Sequence, residues 1–355
     1  MTEPDVSPPR TTAYLALSAS AASTGSLQHI LTRMPRLDGV AVIVALQHRD
    51  ALDEEGFRRA LAAAGLELAD VRDDALIEAG RTYLIGADLV VDVQNGRFRT
   101  RPADEVGGRG IIDSFLVSLA RYEDGRSIAV ALAGTAGDGT LGFKAIKEAG
   151  GLTLAEETAE SRAGELTSSD TPAALADDVL SLDDLIERVA SAARQLAAEG
   201  VATPAVSKAA LTAIAGVLRN RTGHDFHGYK PGTFLRRVQR RMQVLSVVTV
   251  EGYVEALGNQ PDEAQELFND LLIGVTQFFR DPKEFEILER DVIPKLFADK
   301  GRDDQIRVWV IGCSTGEEAY SLAILMREHM ATLDVVPQVQ IFATDLDGRA
   351  LASAR

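Results

Sequence analysis

Between Thr12 and about Ala155, short apolar runs alternate with stretches of helical periodicity. Ala13–Leu17, Val40–Leu46, Tyr83–Ile85, Leu89–Val93 and Ile128–Ala133 read as strands, because each is a brief apolar run bounded by polar or turn residues. The alternation predicts a sheet with covering helices. In LVVDVQNGRFRT, Asn95-Gly96 separates two extended runs and tolerates the positive φ angles of a tight turn. One antiparallel hairpin is therefore expected inside this α/β domain.

Residues from about Glu156 to Val206 are rich in Ala, Ser, Thr, Asp and Glu. LSLDDLIERVASAARQLAAEG carries apolar residues at helical spacing and ends at glycine, so 179–206 reads as a helical connector. KAALTAIAGVLRNRTGHDF then opens a helical region that continues through RRVQRRMQVL, VEGYVEAL and EAQELFNDLLIGV, with Gly223 as its first break. Near Phe285 a helix leads into the strand QIRVWVIG, a glycine turn, the helix EEAYSLAILMREHM and a second strand, VQIFATD, the beginning of a βαβ unit. The predicted order is an α/β domain over 12–178, the connector, an all-α domain over 207–285 and a second α/β domain over 286–355.

At 355 residues and 46% hydrophobic content, the chain can bury two or three cores, which excludes disorder throughout. A net charge of -16 argues against wholesale binding to nucleic acid or a membrane surface. The single cysteine, Cys313, excludes an internal disulfide framework and a thiolate zinc site, and it fits a reducing cytoplasm. The histidines show no metal-ligand spacing, so no metal is expected. The N-terminus lacks a cationic leader, and no run approaches the ~18 apolar residues of a membrane span. A soluble, cytoplasmic protein without membrane insertion is expected.

IGCSTGEEAYSLA follows a strand and opens a helix, a location where backbone N–H groups meet nucleotide-type ligands. Gly312 and Gly316 permit the tight turn, although many α/β proteins carry such a turn with no ligand. Asp345, ending the next strand, can accept hydrogen bonds from both ribose hydroxyls of an adenosine. Thr276 and Arg280 flank an aromatic pair in GVTQFFRDPKEF and can close over a ligand carboxylate. In FLRRVQRRM, Arg236, Arg237, Arg240 and Arg241 fall on one helical face and, with Lys230, form a positive stripe. A docking surface for acidic helices and an ordinary solvated face paired with nearby carboxylates both fit this stripe. Nucleic acid fits less well, because no aromatic residues interleave the arginines.

Ser20 follows the strand AYLAL and precedes a helix, His48 follows VAVIVAL, and Asp138 lies in LAGTAGDGTLG between a strand and a helix. Three loops thus carry the makings of a triad. In such a triad His48 takes the proton of Ser20, Asp138 orients the imidazole, and Ser20 attacks an ester carbonyl. Taken singly, Ser20 reads equally as a helix cap, His48 as a surface residue and Asp138 as part of a turn.

RTGHDFHGYK, FLRRVQRRM, GVTQFFRDP, IGCSTGEEAYSLA and ATDLD, in that order from about Leu211 to Arg355, resemble the CheR-type protein-glutamate methyltransferases. The resemblance implies a helical N-domain followed by a Rossmann-like S-adenosylmethionine domain. Thr276, Arg280, Gly312, Glu317 and Asp345 would meet the cofactor. Lys230 and the four arginines would meet the cytoplasmic methylation helices of chemoreceptors. Gly274 stands where some relatives carry Asn. The family's Asn-Leu-Leu and Cys-Arg-Asn segments and its later hairpin do not occur before Arg355. A truncated domain is expected, with no methyl transfer by this chain alone.

From about Thr12 to Asp178, the order Ser20, His48, Asp138 and the segment GDGTLGFKAIKEAGG resemble the CheB-type methylesterases. The serine loop reads SASAAS where that family is glycine-rich, and TYLIGADL and SSDTPAALA replace a proline-rich loop and a Met-Pro stretch. The expectation is a protein of chemotaxis adaptation that hydrolyses receptor glutamyl methyl esters. The alternative is a non-catalytic, receptor-docking remnant with degenerate sites.

Overall fold

Strand β1, Ala13–Ala19, is buried along its whole length, and because side chains alternate across a strand it feeds two cores at once. Ala13, Leu15, Leu17 and Ala19 join one apolar cluster, and Tyr14 and Ala16 join the other. The structure is a computed structural model that describes residues 13–47, 53–86, 89–102, 110–122, 125–135, 137–158, 171–199, 207–272, 274 and 276–355. It divides into two units, Met1–Leu267 and Phe268–Arg355.

In the first unit β1 lies between β2 (Val40–Leu46) and β7 (Ser127–Ala131), parallel to both. Beyond β2 come β4 (Arg81–Ile85) and β3 (Glu67–Ala69); beyond β7 come β8 (Leu152–Glu156) and β9 (Asp178–Leu180). The order is β3-β4-β2-β1-β7-β8-β9, and all six pairings are parallel. An unbroken apolar run such as VAVIVAL suits a strand covered on both faces. The expected hairpin is present as β5 (Leu89–Gln94) and β6 (Arg97–Pro102), turning at Asn95 and Gly96 with φ of 53° and 73°.

One face of the sheet packs against α1 (Thr24–Arg33), α2 (Glu54–Ala63) and α6 (Leu182–Glu199). The other carries the hairpin with α3 (Ile111–Tyr122) and α4 (Thr140–Ala149), while α5 (Pro172–Leu175) leads into β9. Helices α3 and α4 approach closely: a Cβ on Gly142 would stand 2.5 Å from the Leu116 Cβ. The stretch expected to be a connector becomes α6, and Leu185, Val189, Ala193 and Leu196 along one side of it are buried in the sheet core. Burial of each Leu or Val contributes roughly 1.5–3 kcal/mol, so this helix belongs to the α/β layer.

The helical part contains α7 (Lys208–Thr222), α8 (Pro231–Val244), α9 (Val250–Asn259) and α10 (Pro261–Leu271). Here the expected arginine stripe on one exposed face is corrected. Lys230 and Arg236 are exposed, but Arg237, Arg240 and Arg241 are buried. Arg240 pairs with Asp177, which also meets Lys147 at 2.9 Å and accepts the Thr153 N–H and hydroxyl at 3.0 and 2.9 Å. Arg237 donates to the Lys147 carbonyl at 3.0 Å. Arg241 binds both oxygens of Glu263, which also accepts the Tyr253 hydroxyl at 2.7 Å. Arg188 of α6 donates to the Gln243 and Val244 carbonyls at the end of α8, at 2.8 and 3.0 Å. Acids distant in sequence cover Arg240 and Arg241, and a backbone carbonyl takes Arg237.

In the second unit, α11 (Pro282–Ile287), a π turn at Leu288–Val292 and α12 (Ile293–Phe297) precede β10 (Gln305–Ile311), α13 (Glu317–Met330), β11 (Gln338–Thr344) and α14 (Gly348–Ala354). Strands β10 and β11 are parallel, with Val308 opposite Ile341 and Trp309 opposite Phe342. Ile306, Val308 and Ile341 face a small core with Ile293, Phe297, Leu325 and Met326. Trp309 and Phe342 alternate to the other face and are 64% and 52% exposed.

Asp177 links the α/β layer to α8 through a charge pair closed to water. Replacing Asp177 with Ala is expected to destabilise the chain by about 3–5 kcal/mol, because it strands the Arg240 charge. Urea unfolding checks this. Asp177→Leu combined with Arg240→Met should recover most of the loss, and no recovery would contradict the ion-pair account.

Candidate active site at the strand-order switch, and a cleft in the second unit

Strand β1 connects to β2 on one side, and β7 sits on its other side, so the strand order reverses at β1/β7. Loops leaving the carboxyl ends of such a pair diverge to opposite faces and open a crevice. Ser20 stands at that point, 6% exposed, directly after β1. It caps the 3-10 turn Ala21–Ser23: its hydroxyl oxygen accepts the Ala22 N–H at 3.2 Å, and its own N–H donates to Ser23 Oγ at 2.9 Å. Across the crevice, Ser20 Oγ donates to the Ala133 carbonyl at 3.5 Å. Gly134 follows with φ of 75°, and a Cβ there would sit 3.1 Å from Ser20 Oγ. A side chain on the β7–α4 loop at this point would crowd the serine hydroxyl and strain the left-handed backbone.

Asp138 lies in that same loop and is half-buried. Its carboxylate accepts the backbone N–H groups of Ile112 at 3.3 Å and Asp113 at 3.1 Å, capping α3 from outside the helix. Asp113 returns the arrangement by accepting the Gly142 N–H in the first turn of α4 at 2.7 Å. Burial pushes the Asp113 carboxyl up to about 6, the neighbouring Asp138 charge adds to this, and the backbone donors only partly oppose it. His48 lies outside the described residues; the described part of its segment ends at Gln47, whose N–H donates to the Ala19 carbonyl at 3.0 Å. Of the three residues expected from the sequence, the described structure places Ser20 and Asp138 on neighbouring loops; Asp113 and Glu156, which the sequence did not single out, lie beside them. Glu156 ends β8 and accepts the Ala133 N–H at 2.9 Å.

The second unit has a cleft of about 380 Å³ lined by Leu272, Gly274, Ile311, Gly312, Ser314, Thr344, Asp345, Leu346 and Asp347. Of the residues expected to meet a cofactor, Gly312 and Asp345 line it. Thr276, Arg280 and Glu317 are not among the described lining residues; Glu317 instead accepts the Thr315 hydroxyl at 2.6 Å. Asp345 holds the two loops together, accepting the Ser314 N–H at 2.7 Å and the Asp347 N–H at 2.8 Å. Gly312, with φ of 74°, has open space where a Cβ would project, so its backbone is accessible from the cleft. Among the described residues, no group of three or more His, Cys, Asp or Glu is arranged to hold a metal, and no helix is long and apolar enough to cross a membrane.

A doubly wound parallel sheet with a serine at its switch point, followed by a helical segment and a βαβ unit with a glycine turn, defines the class of architecture. Family comparisons match CheB methylesterase over residues 15–189, the all-alpha domain of CheR methyltransferase over 209–272, and the SAM-binding domain of CheR methyltransferase over 274–355. The chain therefore belongs to the chemotaxis methylesterase and methyltransferase families, as a CheB domain fused to CheR domains. An uncharacterised 104.1 kDa protein of Rhodobacter capsulatus is 33% identical over 313 residues, covering 81% of this chain and 33% of that protein. A chemotaxis protein methyltransferase of Borreliella burgdorferi is 29% identical over 154 residues, covering 42% of this chain and 54% of the relative. The CheB methylesterase catalytic domain of Thermotoga maritima, a crystal structure, aligns at 23% identity with a TM-score of 0.42 and covers 50% of this chain and 97% of that one. The chain spans about a third to a half of the length of these two curated relatives.

The sign of the Asp113 effect is fixed by its raised pKa. Protonated Asp113 favours the fold below pH 3.8, and that contribution is lost as pH rises through about 6. Asp113→Asn keeps an acceptor for the Gly142 N–H but does not ionise. Its stability relative to the unmodified chain should therefore climb between those two pH values and level off above them. Unfolding midpoints measured across that range check this; a difference that stays flat with pH would contradict it.

Proposed function

We propose that the first unit hydrolyses glutamyl methyl esters through Ser20, His48 and Asp138. The observation that carries this reading is the location of Ser20: at the switch point, enclosed, and facing the loop that bears Asp138. In the proposed reaction Ser20 Oγ attacks the ester carbonyl while its proton passes to His48. The proton then leaves with the methoxide as methanol, giving a glutamyl ester of Ser20. Water, deprotonated by His48, breaks that ester and returns a carboxylate and the free serine. The His48 assignment rests on its sequence position after β2, beside β1. Asp138 has one lone pair on each oxygen committed to the start of α3, which fixes its carboxylate rigidly and leaves further acceptor capacity for an imidazole N–H. Methanol release from methyl-esterified receptor should fall by on the order of 10³-fold or more in Ser20→Ala, with the fold intact. Equal release by both proteins would remove the triad assignment.

The second unit is read as the S-adenosylmethionine site of the CheR type. The residues fit such a group: an open glycine backbone, a cleft at the carboxyl ends of parallel strands, and a carboxylate at the end of β11. Gly312 and Asp345 would hold the adenosine, with Ser314 and Asp347 keeping the Asp345 carboxylate in position. When bound, the cofactor supplies an electrophilic methyl group. Calorimetry with S-adenosylhomocysteine tests the site without turnover. Asp345→Asn should weaken binding by roughly tenfold to a hundredfold, the loss that follows from removing a charged acceptor. Unchanged affinity would exclude Asp345 as a contact.

The partner in this reading is an acidic methylation helix of a chemoreceptor, for which Lys230 and Arg236 remain exposed on the first unit.

A further inference from the structure

Glu156 occupies the crevice without belonging to the proposed triad. It ends β8, one strand beyond β7, and its two carboxylate oxygens are divided between the two segments that hold the serine. One oxygen accepts the Ala133 N–H at 2.9 Å, and the other accepts the Ser26 hydroxyl at 2.7 Å. Ala133 presents its carbonyl to Ser20 Oγ, and Ser26 lies in the first turn of α1, just past the turn that Ser20 caps. The carboxylate is thus a strut across the switch point, from the β7–α4 loop on one side to the α1 terminus on the other. A charge-assisted hydrogen bond is about twice as strong as a neutral one, which suits a strut between two loops that would otherwise diverge.

We propose that Glu156 is a positioning residue for the Ser20 nucleophile. By anchoring the Ala133 N–H against α1 it restrains the backbone that carries the Ala133 carbonyl and Gly134 past Ser20, and so sets the direction of the Ser20 hydroxyl. The proposal rests on the esterase reading of Ser20. Glu156 touches neither Ser20 nor the reacting ester, so its removal should act on rate rather than on binding. Gln should serve nearly as well as Glu, because its amide oxygen accepts the Ala133 N–H while its amide nitrogen donates to Ser26 Oγ.

Two readouts on the full chain test this. The first is methanol release from a peptide carrying a glutamyl γ-methyl ester. The second is the rate at which Ser20 reacts with a fluorophosphonate probe, which bonds to the serine oxygen as fluoride leaves. Glu156→Ala should lower kcat and the labelling rate by tenfold to a hundredfold, with KM within twofold and the final labelled fraction unchanged. Glu156→Gln should restore both to within about threefold of the original. Ser26→Ala, which removes one arm of the strut and leaves the core alone, should show a smaller loss that does not add to that of Glu156→Ala. If Glu156→Ala fails to fold, the Gln and Ser26 variants decide. A reduced labelled fraction at an unchanged rate would mean that Glu156 only supports folding and would overturn the proposal. So would Glu156→Ala or Ser26→Ala rates equal to those of the unmodified chain. An unmodified chain that neither releases methanol nor labels at Ser20 would instead remove the esterase reading, and this inference with it.

Discussion

Because β2 and β7 both hydrogen-bond to β1, the loop leaving β1 has no strand crossing above it, and the loops on either side turn towards opposite faces of the sheet. That constraint decides where a crevice opens in the first unit. Six parallel pairings put the carboxyl ends of β1, β2, β7 and β8 along a single edge. The segments bearing Ser20, Asp138 and Glu156 leave from that edge even though Ser20 is more than a hundred residues of sequence from the other two. The buried cores on both faces make the arrangement rigid, since a strand such as β1 cannot shift its register without moving Leu15 and Tyr14 into each other's clusters.

The carboxylates at this edge mainly order the backbone. Asp138 and Asp113 each close the first turn of the other's neighbouring helix, and Glu156 ties a loop to α1. The two aspartates satisfy helix N–H donors that would otherwise lack partners, and their charge is favoured by the dipole of the helix they cap. The cost appears at Asp113, where burial beside Asp138 pushes the carboxyl up to about 6. Asp177 illustrates the opposite balance. Burial alone would raise it, yet Arg240 and Lys147, with the hydrogen bonds from Lys147 and Thr153, hold it below the ordinary carboxylate range. One acid is raised by burial, with a like charge adding to it, and the other is secured by two cations.

The apolar strands were legible because they are long enough to stand out as runs. Val40–Leu46 matches β2 residue for residue, and the Asn95-Gly96 turn falls where the dipeptide demands it. Strands β3 and β9, three residues each, carry no such signal, and β8 was hidden behind the glycine pair that closes α4. Ser20 and Asp138 could be found by their positions after strands. Glu156 could not be placed there, because nothing in a polar, acidic stretch says that the strand order brings its carboxylate beside the loop that follows β7. The helical spacing of Leu182–Glu199 was equally visible, but nothing in the spacing said that its apolar side met the sheet.

The arginine helix shows why spacing alone cannot separate a recognition surface from a structural one. The partner of Arg240 lies 63 residues earlier and that of Arg241 lies 22 residues later, beyond the reach of any local pattern. Exposed ion pairs contribute about 0–1 kcal/mol and exchange partners readily, so an exposed stripe could be lent to a receptor helix at little cost. A guanidinium closed off from water cannot be lent in this way, because exposing it would leave Asp177 buried and less compensated. Any acidic partner that meets α8 in this conformation therefore meets Lys230 and Arg236, while Arg237 and Arg240 tie α8 to the α/β layer and Arg241 ties it to α10.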